Sequence, residues 1–211
     1  MMQDKSVKDF IKVLASSSPT PGGGGASALV GSIGCALGSM VGNLTIGNKK
    51  YIDVQEDIEK LIIQGSHLQN ELLLLIDKDA EGFEPLAKAY SLPRKTEEEL
   101  ILRNKIMEEA LYEACLIPLE IMNKIYEVIL LHDELSKKGT KIAISDVAAG
   151  VQLCRSGLYS ASVNVFINTK SMKNPENSKE LNLRANNLLE KGIKKADEIF
   201  YEIFDTLRRT K

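Results

Sequence analysis

Apolar residues recur every three or four positions along most of this chain, and no pair of alternating apolar runs reads as strands. That spacing predicts helices that each bury one face. Ser6 to Ala15 reads as a short helix, with Ser6 and Asp9 as a variant capping box and the serines before Pro19 as its end. A second helix, built of small residues, is predicted from near Ala26 to Ile46. A third starts near Asp53 and ends at Pro93, with the inward stripe Val54, Ile58, Leu61, Gly65, Leu68, Leu72, Ile76, Asp79, Phe83. Thr96 and Glu99 form a capping box for the next, in which Pro118 predicts a kink or a break with a restart. The pattern resumes through Met122, Ile125, Ile129 and His132 to about Leu135, and Gly139 is a natural stop. Ser145 is placed as the N-cap of a helix reaching Asn168, and Asn174-Pro175 opens the last one, from about Glu176 to Arg209. The sum is an all-α, single-domain bundle of about seven helices over residues 1–211.

The most unusual stretch runs from Pro19 to Tyr51. Two prolines precede four consecutive glycines, Gly22 to Gly25, and no formal charge follows from Ala26 to Ile46. Pro19 and Pro21 disfavour helix at the residues before them. The glycines predict a tight turn able to approach a ligand closely, and a helix start beyond it would favour an anion. Gly31, Gly34, Gly38 and Gly42 lie near one helical face, which predicts tight packing of another backbone there. No Gly-Lys-Ser/Thr follows, so this is not a Walker loop, and the preceding prolines make a poor dinucleotide fingerprint. The same stretch has the length and low charge of a membrane span, diluted by glycine, serine, Asn43 and Thr45.

Two helices carry polar residues where the pattern asks for apolar ones. Asp79 sits on the inward stripe of the third helix, whereas Asp77 and Lys78 fall off it into solvent. A carboxylate facing inward is costly unless paired, hydrogen-bonded or protonated, and burial raises its pKa towards the range of acid–base chemistry. The structural alternative is an aspartate paired with a buried lysine or capping a kink near Pro85. The helix after Ser145 has the stripe Asp146, Gly150, Leu153, Gly157, Ala161, Asn164, Asn168, which reads either as a polar cavity wall or as amides bonded to neighbouring helices.

Composition narrows the class. The 211 residues are 44% hydrophobic and 27% charged, as in a soluble globular protein, and the net charge of −2 offers no global field for nucleic acid or anionic membrane. Cys35, Cys115 and Cys154 are far apart in apolar contexts and read as buried free thiols of a reducing, cytoplasmic compartment. His67 and His132 are isolated, so no metal-ligand spacing appears, and His132 reads as a boundary residue. The N-terminus has no apolar run of signal-peptide length.

Four elements in order, between about Phe10 and Asn168, resemble the folate cyclodeaminase/cyclohydrolase family. They are Pro21 to Gly24 with Ser39 to Thr45 and Lys49 to Tyr51; Asp79-Ala80 with Phe83; Leu92 to Thr96; and Ser145 to Ala149 with Asn164-Val165. Two departures stand out: Gly25 replaces a usual serine, and Arg94 replaces a usual lysine beside Lys95. The resemblance implies a helical homodimer with sites near subunit contacts, acting on a tetrahydrofolate derivative (polyglutamylated or not) without metal or organic cofactor. It assigns Asp79 as the proton-shuttling carboxylate. Residue type and motif together nominate Gly22, Gly23, Gly24, Asn43, Asp146 and Asn164 for the substrate, and Lys49, Lys50, Arg94 and Lys95 for its anionic tail.

The implied reaction is methenyltetrahydrofolate cyclohydrolysis to 10-formyltetrahydrofolate, favoured because a chain this short leaves no room for a formiminotransferase domain. The alternative within the family is formimidoyltetrahydrofolate cyclodeamination with release of ammonia. Outside it stand a non-catalytic folate- or anion-binding helical protein and a membrane-associated dimer built on Ala26 to Ile46.

Overall fold

The small-residue helix is the centre of the molecule. In the computed structural model, which describes residues 1–209, helices run in the order α1 (Val7–Leu14), α2 (Gly23–Thr45), α3 (Gln55–Tyr90), α4 (Glu97–Lys138), α5 (Ile144–Thr169) and α6 (Pro175–Arg208). Short 3-10 turns at Met2–Asp4, Lys49–Val54 and Lys141–Ala143 complete the order. The fold is all-α, with six long or short α-helices among the described residues rather than about seven. The difference lies at Pro118. It neither breaks nor restarts the helix, and α4 runs unbroken through it for 42 residues.

Three N-termini are capped as the local sequence requires. Ser6 accepts from the Asp9 amide, Thr96 and Glu99 form a reciprocal capping box, and Asn174 accepts from the amides of Glu176 and Asn177. Ser145 does not cap α5. The 3-10 turn at Lys141–Ala143 leads straight into Ile144, so Ala143 takes the cap position and Ser145 lies inside the helix.

α2 packs against α3, α4 and α5, and α6 covers the far side of α4 and α5. α2 is long and apolar enough to cross a membrane by length and composition, yet its glycine and serine positions are filled by these neighbours. The glycines do not serve one partner. A Cβ at Gly31 would meet Ile125 of α4, at Gly38 Leu131 of α4, and at Gly42 Ile62 of α3. Only at Gly34 is the neighbour another backbone: a Cβ there would lie 2.9 Å from Gly150 O of α5. The expected close approach of another backbone is made by α5, at Gly34 and beside Gly31, where a Cβ on Gly157 would lie 3.3 Å from Ser27 O; Gly38 and Gly42 instead admit side chains of α4 and α3.

His132 is a second correction. It is not a boundary residue but wholly buried, at 0% exposure, with Nε2 3.0 Å from Gly34 O. The glycines at 38 and 150 leave the space its ring occupies. Cys35, Cys115 and Cys154 are free and buried, and burial pushes the thiols of Cys35 and Cys115 up to about 12.

The helix directions give the molecule two ends. α2 and α4 run one way, α3 and α5 the other, because Gly24 lies by Asp79 and Gly42 by Ile62, while Gly157 lies by Gly31 and Gly150 by Gly34. One end holds the start of α2. The other holds its end, where Thr140 N donates to Thr45 Oγ1 at 2.8 Å and Lys141 N donates to Tyr51 Oη at 3.0 Å.

Candidate functional site

The first turn of α2 is made by the glycines themselves. The helix starts at Gly23, three residues before the expected start near Ala26, and Gly47 is the described glycine with positive φ. Gly22 to Gly25 therefore do not form a left-handed turn. Their missing side chains matter for space instead. The first amides of a helix have no partner within it, and here the Gly25 amide donates to Asp79 Oδ2 at 2.9 Å. A Cβ on Gly24 would fall on the Asp79 carboxylate itself. Glycine at 24 is thus what lets a carboxylate from α3 sit against the start of α2.

Asp79 is half-buried, and burial raises its pKa above the ordinary aspartate range, with the Gly25 amide offsetting only part of the shift. It opens on a cleft of about 160 Å³. The cleft is walled by Pro19, Thr20 and Gly22 to Gly24 on one side, by Asp79, Gly82 and Phe83 of α3, by Ala114, Ile117 and Pro118 of α4, and by Asn164, Ile167 and Asn168 of α5. Asn164 and Asn168 each spend their Nδ2 on a backbone carbonyl, Ser160 O at 3.0 Å and Ala114 O at 3.2 Å. Asp77, expected in solvent, is half-buried and accepts from the amides of Met2 and Gln3, at 2.6 and 3.4 Å.

The sequence-nominated residues separate into groups. Asp79, Gly22, Gly23, Gly24 and Asn164 meet in the cleft. Asn43, Lys49, Lys50 and Asp146 do not reach it. Asn43 and the two lysines are exposed at the opposite end of α2, and Asp146 lies in the first turn of α5 beside that end. At 1.5 Å per residue the 23 residues of α2 span about 35 Å, so these residues of one chain lie too far from Asp79 to share its cleft. Arg94 and Lys95 are on the cleft's half of the molecule, exposed between α3 and α4, and do not line it.

The Gly25 departure is benign for the cleft. A Cβ there points at Pro21, 3.3 Å away, and Ile76, 3.6 Å away. Nor does Ser27 replace the absent hydroxyl, because it donates to Gly23 O within its own helix at 2.6 Å. Pattern reading passed over Ala114, Ile117 and Pro118 as site residues, since an apolar cleft wall and an apolar core face look alike in sequence. Among the described residues no three His, Cys, Asp or Glu side chains gather as a metal site.

The profile of a family described as formiminotransferase-cyclodeaminase matches residues 6–187. Methenyltetrahydrofolate cyclohydrolase of Methylorubrum extorquens is 41% identical over 172 residues, covering 82% of this chain and 83% of its own. Formimidoyltransferase-cyclodeaminase of Mus musculus is 29% identical over 189 residues, covering 90% of this chain; the chain spans 35% of that longer protein. The crystal structure of formiminotetrahydrofolate cyclodeaminase from Thermotoga maritima matches with a TM-score of 0.81 at 28% identity, over 97% of this chain and 100% of that one.

Proposed function

The chain belongs to the formiminotransferase-cyclodeaminase family, and we propose that it is a cytoplasmic methenyltetrahydrofolate cyclohydrolase of one-carbon metabolism. The observation that carries this reading is Asp79, a half-buried carboxylate with a raised pKa, held on a helix-start amide at the wall of the cleft. The similarity to the Methylorubrum cyclohydrolase, at 41% against 29% for the Mus musculus protein and 28% for the Thermotoga cyclodeaminase, favours hydrolysis over deamination.

Cyclohydrolysis moves protons at one carbon. Water adds to the cationic carbon between N5 and N10, and a proton leaves the adding oxygen for the Asp79 carboxylate. The C–N5 bond then breaks, N5 takes that proton, and the second hydroxyl proton goes to solvent as the formyl C=O forms on N10. Substrate cation plus water becomes 10-formyltetrahydrofolate plus one proton. A carboxylate whose pKa is raised by burial accepts and returns the proton near neutral pH.

The test is a paired spectrophotometric assay, with loss of methenyltetrahydrofolate in one cuvette and formation from formiminotetrahydrofolate with ammonia release in the other. Loss in the first alone is expected. Gain in the second alone would replace the cyclohydrolase by a cyclodeaminase, and silence in both would leave a folate-binding protein. Asp79→Asn is expected to lower turnover by roughly 10²–10⁴-fold with the fold intact; full turnover would remove Asp79 from the mechanism.

The homodimer belongs to the same reading. α2 carries an exposed apolar row, Ile33 at 47%, Met40 at 39% and Leu44 at 54%, along the face its neighbours leave open. Ile33 is near the middle of α2. A two-fold axis there would set the Asn43, Lys49, Lys50 and Asp146 end of one chain beside the Asp79 cleft of its partner. This gives those residues a place near the folate and its glutamate tail. Mixing an inactive Asp79→Asn chain with an inactive Lys49→Glu/Lys50→Glu chain would then restore about a quarter of wild-type activity, because half the dimers are mixed and each has one clean site. No recovery would confine each site to one chain.

A further inference from the structure

Inside an α-helix each carbonyl accepts from the N–H four residues on. Proline has no N–H, so Pro118 leaves the Ala114 carbonyl without its helical donor. Both residues line the cleft. The replacement donor comes from α5: Asn168 Nδ2, 3.2 Å from Ala114 O and 54 positions away in sequence. A carbonyl oxygen only accepts, so it fixes which end of the Asn168 amide faces it. With its NH₂ turned to Ala114, which takes one of its two N–H groups, Asn168 presents its oxygen, an acceptor, on the opposite side of the amide. Asn164 is set alike by Ser160 O. Asp79, with one oxygen on the Gly25 amide, adds its other. The cleft wall is therefore rich in acceptors.

We propose that Asn168 is a substrate-reading residue: its oxygen, oriented by the carbonyl that Pro118 leaves unpaired, accepts a hydrogen bond from a ring N–H of the bound ligand. A reduced pterin carries such N–H groups on its pyrimidine edge and at N8, so the proposal deepens the folate reading of the cleft and rests on it. It also explains a proline in the middle of a long buried helix. The residue that costs the helix a hydrogen bond leaves the Ala114 carbonyl with Asn168 as its donor.

Asn168 has a structural duty as well, since without it Ala114 O loses the donor that replaces its helical partner. Pro118→Ala separates the two roles. Residue 118 then supplies its own N–H to Ala114 O, which keeps a second lone pair for Asn168. The experiment measures kcat, KM for methenyltetrahydrofolate and the thermal midpoint of the wild-type enzyme, Asn168→Ala, Pro118→Ala and the double variant. Asn168→Ala alone is expected to lower the midpoint and raise KM. Added to Pro118→Ala it is expected to leave the midpoint unchanged and still raise KM about tenfold, the loss of one net hydrogen bond. A double variant matching Pro118→Ala in both readouts would make Asn168 a filler for Ala114 and overturn the proposal. Failure of the wild-type enzyme to turn over either folate would overturn the folate reading and this proposal together; turnover with KM untouched by Asn168→Ala in both backgrounds would overturn the proposal alone.

Discussion

His132 couples this fold to pH in a way that can be worked out in advance. Its Nε2 faces Gly34 O at 3.0 Å, and because a carbonyl accepts, that nitrogen carries the proton. Nδ1 is buried and has no partner. A second proton would put a bare N–H and a charge into the core, so burial lowers the pKa from 6.5 to about 4. The unfolded chain protonates near 6.5, whereas the folded chain resists until about 4. Stability is therefore lost as pH falls through 6.5 and levels off below about 4. The whole shift corresponds to about 3 kcal/mol, of which about 2 is lost by pH 5. Asp79 works the other way. Its raised pKa means that the folded state holds that proton more tightly, so the cost of burying its charge is relieved as pH falls. Comparing wild type with His132→Gln cancels Asp79 and the surface carboxylates, because glutamine can donate to Gly34 O and does not titrate. Urea unfolding of both at pH 8, 7, 6 and 5, at one protein concentration, reads the difference. Wild type is expected to lose about 2 kcal/mol more than the variant between pH 8 and 5. A difference that stays flat with pH would refute the reasoning.

Further substitutions test the glycines and caps. Gly24→Ala puts a methyl on the Asp79 carboxylate and is expected to lower kcat by about a hundredfold through misplacement of that group; unchanged kcat would mean that its contact with the start of α2 does not matter. Gly34→Ala would place Cβ 2.9 Å from Gly150 O and 2.6 Å from Cys154 Sγ, so overpacking is expected to cost about 1–3 kcal/mol in denaturant unfolding; a neutral result would mean that α2 and α5 part without strain. Thr96→Ala removes the acceptor for the Glu99 amide and is expected to cost about 1 kcal/mol in denaturant unfolding; an unchanged midpoint would mean that the capping box adds nothing to the folded state.

Sequence made the helices and most caps legible because those signals are local. Ser6, Thr96 and Asn174 each act on amides two or three residues away. Pro118 misled for the opposite reason. The donor that meets the carbonyl it frees is Asn168, and no local rule links positions 54 apart. His132 was opaque likewise, since periodicity places it inward but cannot show that glycines on two other helices make room for its ring. In the site, Asp79 was readable as a charge on an apolar stripe, and it meets Gly22 to Gly24 and Asn164 in the cleft. Asn43, Lys49, Lys50 and Asp146 came from the same motifs but lie at the other end of α2, because a motif carries no information about which end of a helix, or which subunit, faces the ligand.

An all-helical protein has few backbone groups to offer a ligand or to anchor a catalytic side chain, because each helix consumes its own. This cleft obtains them at the two kinds of place where a helix cannot. The start of α2 leaves amides free, and Pro118 frees a carbonyl in the middle of α4. Each freed group is engaged by a side chain from another helix, Asp79 on the Gly25 amide and Asn168 on the Ala114 carbonyl. Both side chains have two polar atoms, so one is fixed on the backbone and the other is left for the cleft. Fixing one atom removes rotamer freedom before a substrate arrives, which is the entropy a precise proton transfer would otherwise have to overcome. The glycines then follow from the same demand: a side chain at 24 would occupy the carboxylate's place, so the residue that exposes the amide must also have no bulk.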